Sequence, residues 1–243
     1  MMAGGPDVRT GPEISPWTAV VHTGAVPGSL RVMTFNIRQL REDASAVLTV
    51  LRESGADVVA IQEPPRGPFG GHRLRRLSAS AGYVAVVVGG GARTTALLVR
   101  DGLTVTQPRA VRLRWTPGRT RRGLAVADVL GVRVVSAHLS LVPAERAQHL
   151  DRLLRVVQAA PGGCVVAGDL NEDPGGPTHR RLALRLRDVT AGVGPTFTAR
   201  NPRRRLDVVL TSGALRAGGA RALRDEAARA ASDHLPVLVD LRW

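Results

Sequence analysis

The stretch CVVAGDLNEDPGGP (164–177) decides how the rest of the chain is read. Its first four residues, Cys164–Ala167, are small or β-branched and suit a short buried strand. Asp169 and Asn171 follow at once, and the glycines and prolines after them mark a loop. An acidic residue at the exit of a buried strand sits where a rigid scaffold meets an exposed loop. One such residue is ordinarily a turn or cap residue.

Reading outward, the same arrangement returns. Asn36 ends the apolar run Leu30–Asn36, Glu63 follows Asp57–Gln62, and His138 follows Val132–Ala137. Asp207 enters the run Leu206–Leu210, and Asp233 with His234 precedes Leu235–Leu241. Further strands are predicted at Tyr83–Val88, Thr94–Arg100, Leu103–Gln107, Ala110–Arg114 and Leu124–Leu130, the last forming a hairpin with its successor across Gly131. Apolar residues at helical spacing predict helices over Glu42–Ser54, around Leu74–Ser80 and from Pro143 onward, where proline suits a first turn. With about ten strands and three or four helices, the expected fold is α/β, two stacked sheets with helices outside. Residues 1–28, rich in Gly, Pro, Thr and Ala, are read as a flexible leader before one domain spanning 29–243.

Composition excludes several classes. A 44% hydrophobic and 22% charged chain of 243 residues is that of a globular protein, with room for a large core. The one cysteine, Cys164, excludes a disulfide framework and a thiolate zinc cluster. No apolar run approaches the roughly 20 residues of a membrane helix, and the N-terminus has no basic-then-apolar secretory pattern. A cytoplasmic monomer is expected. All 34 basic residues are arginine, against 20 carboxylates, for a net charge of +14. Such an excess suits a polyanion partner, and it equally suits a GC-rich coding bias acting on every surface position.

The strand-end residues hold the chemistry. Carboxylates and carboxamides are oxygen ligands of the kind that Mg²⁺ prefers. Phosphate ester hydrolysis needs neutralised phosphoryl oxygens, an oriented water and help for the leaving oxygen, which carboxylates, amides and imidazoles supply. No HExxH helix is present, which argues against a zincin-type site.

The series TFNIR (34–38), IQE (61–63), SAHL (136–139), AGDLNEDP (167–174), RLDVVL (205–210) and SDHLPV (232–237) resembles the ordered motifs of the endonuclease/exonuclease/phosphatase superfamily. The resemblance runs from about Leu30 to Trp243, and GDLN and SDHLPV are its most specific parts. It implies a four-layered α/β sandwich, two packed mixed β-sheets flanked by helices. It also implies a Mg²⁺- or Mn²⁺-dependent hydrolase of phosphoesters. Glu63 resembles the metal-binding glutamate, Asn36 the residue that supports it, and Asp233 a second metal-site or orienting carboxylate. Asp169 resembles the aspartate that polarises the attacking water, and Asn171 the amide that holds a phosphate oxygen. His234 resembles the histidine on the scissile phosphate and Asp207 the carboxylate that orients it. His138 matches an additional histidine of the deoxyribonuclease and sphingomyelinase branches, to which protonation of the leaving group is ascribed.

The chain departs from its relatives in places. Arg38 stands where abasic endonucleases carry an acidic residue, and Val208 where a tyrosine is usual. The carboxylate that partners the additional histidine in the deoxyribonuclease falls near Arg93. Three Trp, one Tyr and three Phe leave little for base stacking. The leading expectation is a phosphodiesterase acting on DNA. The alternatives are a phosphatase or phospholipase-C-like enzyme on a small phosphoester or lipid head group, and a catalytically silent nucleic-acid-binding module. His22, His72, His149, His179, Cys164, Trp115 and Trp243 are expected to be structural or surface residues. One or more of the arginine groups 73–76, 119–122, 180–187 and 203–205 are expected to line a phosphate groove.

Overall fold

The computed structural model describes residues 28–243. The expected leader, save Gly28, and His22 with it, lie outside the described residues. The chain first runs through β1 (Ser29–Asn36), a short 3-10 turn (Arg38–Leu40), α1 (Ala44–Glu53), β2 (Val58–Gln62), α2 (Gly70–Ser80), β3 (Tyr83–Val88) and β4 (Thr95–Arg100). It continues with β5 (Val105–Arg112), β6 (Gly123–Val129), β7 (Val132–His138), α3 (Pro143–Gln158), β8 (Cys164–Asp169), α4 (Pro177–Ala183), β9 (Arg187–Asp188) and β10 (Asp207–Thr211). It closes with β11 (Arg216–Ala222), α5 (Glu226–Ala231) and β12 (Val237–Arg242).

The strands form two six-stranded mixed sheets, ordered β11-β12-β1-β2-β4-β3 and β5-β6-β7-β8-β10-β9. Alternation along the strands explains the layering. Val32, Val58 and Leu97 of the first sheet point inward against Val134, Val165 and Val209 of the second. Their neighbours Met33, Val59 and Leu98 face the other way, onto Val47, Val50 and Leu51 of α1 and the apolar residues of α2 and α5. Val135 and Val166 of the second sheet likewise meet Leu150 and Leu153 of α3 and Leu182 of α4. The result is the expected four-layered α/β sandwich. No helix among the described residues is long and apolar enough to cross a membrane.

Polar motif residues stitch the two sheets together. Gln62 is fully buried; its Oε1 accepts from Thr34 Oγ1 at 3.1 Å, and its Nε2 donates to the Ala60 carbonyl and to Ser136 Oγ in the other sheet. Ser136 Oγ donates back across the gap to the Ile61 carbonyl at 2.8 Å. Buried polar groups satisfied in this way fix one alignment of the sheets.

The elements differ from expectation where the sequence pattern is weak. The two strands predicted at Leu103–Gln107 and Ala110–Arg114 are one, β5, with a register shift between Thr106 and Arg109 around Pro108. Pro108 cannot donate to the ladder, so the bulge sits there on an edge strand. Strand β11, with sequence RAGGARA, and the short helices α4 and α5 carry no clear apolar period. Trp115 and Trp243, expected to be structural or surface residues, are 41% and 43% exposed.

Candidate active site

Two parallel strand pairs position the site. β1 runs beside β2, and β7 beside β8, with Asn36 opposite Gln62 and His138 opposite Asp169 in register. All four strands end on one rim of the sandwich, so Asn36, Glu63, His138 and Asp169 meet where the sheets adjoin. β10 starts at the same rim, because Asp207 pairs with Asp169 in antiparallel register.

Asp169 is the hub. It is 1% exposed; its Oδ1 accepts the Asn171 N–H at 2.8 Å, and its Oδ2 accepts from Asn36 Nδ2 at 3.2 Å. The same Oδ2 lies 3.7 Å from His138 Nε2 and 3.8 Å from His234 Nε2. Burial raises its pKa to about 6, with the Asp207 charge pushing the same way and the His234 charge and both hydrogen bonds opposing.

His234 lies across from it. Its Nδ1 is 2.9 Å from Asp207 Oδ2, an oxygen that also accepts from Thr196 Oγ1 at 2.6 Å. Burial alone would discharge this imidazole, but the charge and hydrogen bond of Asp207, then the charges of Asp169 and Asp233, raise its pKa to about 10. His234 is therefore an imidazolium at neutral pH, with Nδ1–H turned to Asp207 and Nε2–H toward Asp169. The ring of Phe197 packs at 4.8 Å between centroids, tilted by 46°, and confines it further.

His138 has the opposite character. It is buried, and burial together with the positive charges of Arg122, His234 and Arg66 holds its pKa well below the ordinary value. It is neutral at physiological pH. Its Nε2 lies between Asp169 and Glu63, whose Oε1 is 4.0 Å away.

Glu63 and Asn171 both sit in the left-handed region, at φ 49° and 52°. For Glu63 that conformation is costly, and two backbone hydrogen bonds impose it: its N–H to the Thr94 carbonyl at 3.0 Å, and its carbonyl from Gln39 N at 2.7 Å. Among the described residues the Glu63 carboxylate accepts no hydrogen bond and has His138 Nε2 as its neighbour at 4.0 Å, which leaves its oxygens available to a cation. Asn171 donates from Nδ2 to the Leu139 carbonyl at 2.8 Å, which leaves its second amide hydrogen for a ligand oxygen. Asp233 stands at the rim, 28% exposed at its side chain, with Oδ2 at 3.4 Å from Arg38 Nε.

Five of the eight candidate residues thus surround one gap directly, with Asp207 behind His234, Asn171 attached through Asp169 and Asp233 at the edge. The donor set fits a hard divalent ion, since Glu63 and Asp169 offer carboxylate oxygens, while the Asn36 amide oxygen already accepts the Arg38 N–H at 3.1 Å. The buried group Asp169, Asp207 and His234, with ligand atoms within 4.8 Å of one another, could also hold an ion. Of the two sets the oxygen one is better suited, because His234 is cationic and its Nδ1 already faces Asp207.

Three residues of the site escape the motif reading. Thr196 fixes Asp207, Phe197 fixes His234, and Arg122 is only 8% exposed behind His138, donating from Nη1 to the His138 carbonyl at 3.2 Å. Among the described residues Arg122 pairs with no carboxylate; burial lowers its pKa while the Asp169, Glu63 and Glu145 charges hold it up. Thr196 and Phe197 lie in a segment without a motif, and Arg122 is one arginine among 34. Of the residues set aside as structural, His149 is fully buried with Nε2 3.1 Å from the Arg114 carbonyl, and His179 meets Asp188 at 2.9 Å.

A sandwich of this build, with carboxylates and imidazoles converging on one rim, is that of a phosphoester hydrolase. The chain belongs to the endonuclease/exonuclease/phosphatase family, whose model matches residues 33–234, and it is a phosphoesterase. Similar solved structures include an endonuclease/exonuclease/phosphatase from Beutenbergia cavernae, at 27% identity and TM-score 0.68 over 88% of this chain and 72% of that one. A mannosyl-6-phosphatase from Bacteroides thetaiotaomicron matches at 17% identity and TM-score 0.69, over 88% of this chain and 100% of that one. A truncated TDP2 from Caenorhabditis elegans matches at 18% and 0.64, over 88% and 98%. No curated protein sequence matches the chain significantly.

Proposed function

We propose that the protein is a Mg²⁺- or Mn²⁺-dependent phosphodiesterase that cuts nucleic acid, DNA foremost, by in-line attack of water on phosphorus. The observation that carries this reading is the pairing of Asp169 with His234. A carboxylate whose pKa is about 6 and an imidazolium whose pKa is about 10 face each other, with 3.8 Å between Oδ2 and Nε2. At neutral pH the first accepts a proton and the second carries positive charge, as hydrolysis of an anionic ester requires.

In this reading Asp169, aimed by Asn36 and the Asn171 N–H, orients the attacking water and draws off its proton. His234, held by Asp207 and Thr196, donates Nε2–H to a non-bridging phosphoryl oxygen, and Asn171 donates to another. His138 is neutral at rest, so it serves as a hydrogen-bond donor toward the leaving oxygen rather than as a stored imidazolium. Glu63 would hold the divalent ion, with Asn36 and Asp233 as the further candidates for its site. When bound, the ion neutralises charge on the phosphoryl oxygens. The charge of +14 supports a polyanionic substrate.

Cleavage of plasmid DNA and of bis(p-nitrophenyl) phosphate in Mg²⁺ or Mn²⁺ tests the proposal. Both activities should stop with EDTA and fall at least about 10³-fold in Asp169→Ala and His234→Ala. Full activity in either variant would remove the assigned roles. Turnover of sugar phosphates without any of DNA or RNA would replace nucleic acid with a small ester.

A further inference from the structure

Beyond Glu63 the chain borders a cavity of about 370 Å³ that none of the roles above uses. Pro64 and Pro65 form part of its wall, and so does Thr94, whose carbonyl accepts the Glu63 N–H. The cavity and the hydrolytic gap therefore share one wall.

Arg66, Arg93 and Arg121 line this cavity, and no aspartate or glutamate does. All three are exposed, and among the described residues none pairs with a carboxylate, whereas arginines elsewhere do, such as Arg133 with Asp128 at 2.8 Å and Arg205 with Asp188 at 2.7 Å. Arg121 is also held in place: its guanidinium stacks 4.3 Å from the ring centroid of Trp115, and the Trp115 indole N–H donates to the Arg119 carbonyl at 2.8 Å. Coding bias spreads arginines over a surface. It gives no reason for three unpaired ones to share a hollow free of carboxylates. Like charges around a concave space repel one another until an anion enters it. The charge of Arg66 is also felt at His138 and Arg122, so the hollow is electrostatically continuous with the site.

We propose that this cavity is a second anion subsite, which holds a non-scissile phosphate of the substrate while the scissile one accepts from His234 and Asn171. The proposal rests on the phosphodiesterase reading and narrows it. The preferred substrates carry at least two phosphates, as a nucleic-acid strand does, and esters with a single phosphate leave the subsite empty. Guanidiniums suit the task because each offers forked N–H donors to phosphate oxygens.

The experiment compares kcat/KM for single-stranded hexathymidylate with kcat/KM for bis(p-nitrophenyl) phosphate. In Arg93→Gln/Arg121→Gln that ratio should fall at least about tenfold, mainly through KM, and the log–log salt dependence of KM should flatten by about 0.7 for one released phosphate. A matched variant, Arg152→Gln/Arg155→Gln on α3, removes the same charge far from the cavity and should keep the ratio. Equal ratios in the two variants would overturn the subsite while leaving the phosphodiesterase reading intact. If only the small ester is cut, inhibition by inorganic pyrophosphate takes the place of the oligonucleotide. A tenfold weaker inhibition constant in the cavity variant then supports a small polyphosphorylated substrate, and an equal constant overturns the subsite. If neither ester is cut, the functional reading fails, and calorimetric binding of pyrophosphate to the metal-free protein decides the subsite by the same comparison.

Discussion

His234 and Asp169 respond to pH in opposite senses, because burial acts on both while their partners differ. Activity should rise along an acid limb near pH 6 as Asp169 ionises and fall near pH 10 as His234 loses its proton. Replacing Asp207 by Asn removes the charge that holds the proton on His234, so the basic limb of the kcat/KM profile should move to lower pH. An unmoved limb would detach Asp207 from that role. Stability should follow a different rule. The folded pKa of Asp169 lies above its ordinary value of 3.8, so ionising this carboxyl costs folding free energy above about pH 6. Asp169→Asn should therefore melt at a higher temperature than the parent at pH 8 without metal, and the gain should vanish below about pH 4. A lower melting temperature at pH 8 would show that the paired charges outweigh the burial. At this scale the motif residues were legible, since Asp169, Asp207 and His234 stand in recognisable runs beside predicted strands. Thr196 and Phe197 were not, and Arg122 was marked only as one of the group 119–122: their parts depend on which loops the fold brings together.

Strand β8 has a constraint its apolar pattern does not reveal. Gly168 approaches β7 so closely that a β-carbon there would lie 1.9 Å from the Ala137 carbonyl oxygen. Gly168→Ala must push the strands apart beside His138 and Asp169, and backbone atoms on both sides cannot yield as a side chain could. A loss of about 2 kcal/mol or more in urea unfolding is expected, with a drop of at least about 10²-fold in kcat. Wild-type behaviour in both would place the flexibility of β7 above what its full burial allows. Strands rich in Val and Ala, such as β7 and β8, could be read directly because burial on both faces demands β-branched and small residues. β11 could not, since an exposed edge strand with two glycines is held by pairing to β12 rather than by its own side chains. Pro108 misled in the other direction, cutting one bulged strand into two predicted ones.

The two sheets are assembled unequally along the chain. The second sheet is contiguous, from Val105 to Thr211, whereas the first takes strands from both sides of it, with β12 inserted between β11 and β1. The sequence predicted two sheets without showing this interleaving, because pairing between Leu30 and Leu241 spans the whole described chain and no local pattern encodes it. His234 is carried on the segment leading into β12, and it reaches Asp207 only when that strand has docked. A ribosome-stalled chain whose residues beyond Ser232 remain in the exit tunnel should show no phosphodiesterase activity, and release should restore it; activity before release would contradict the placement of His234. For a phosphoesterase, this order of assembly has a practical meaning. Until β12 has docked, His234 is apart from Asp207 and Asp169, so the nascent chain carries an incomplete site until translation has run past it.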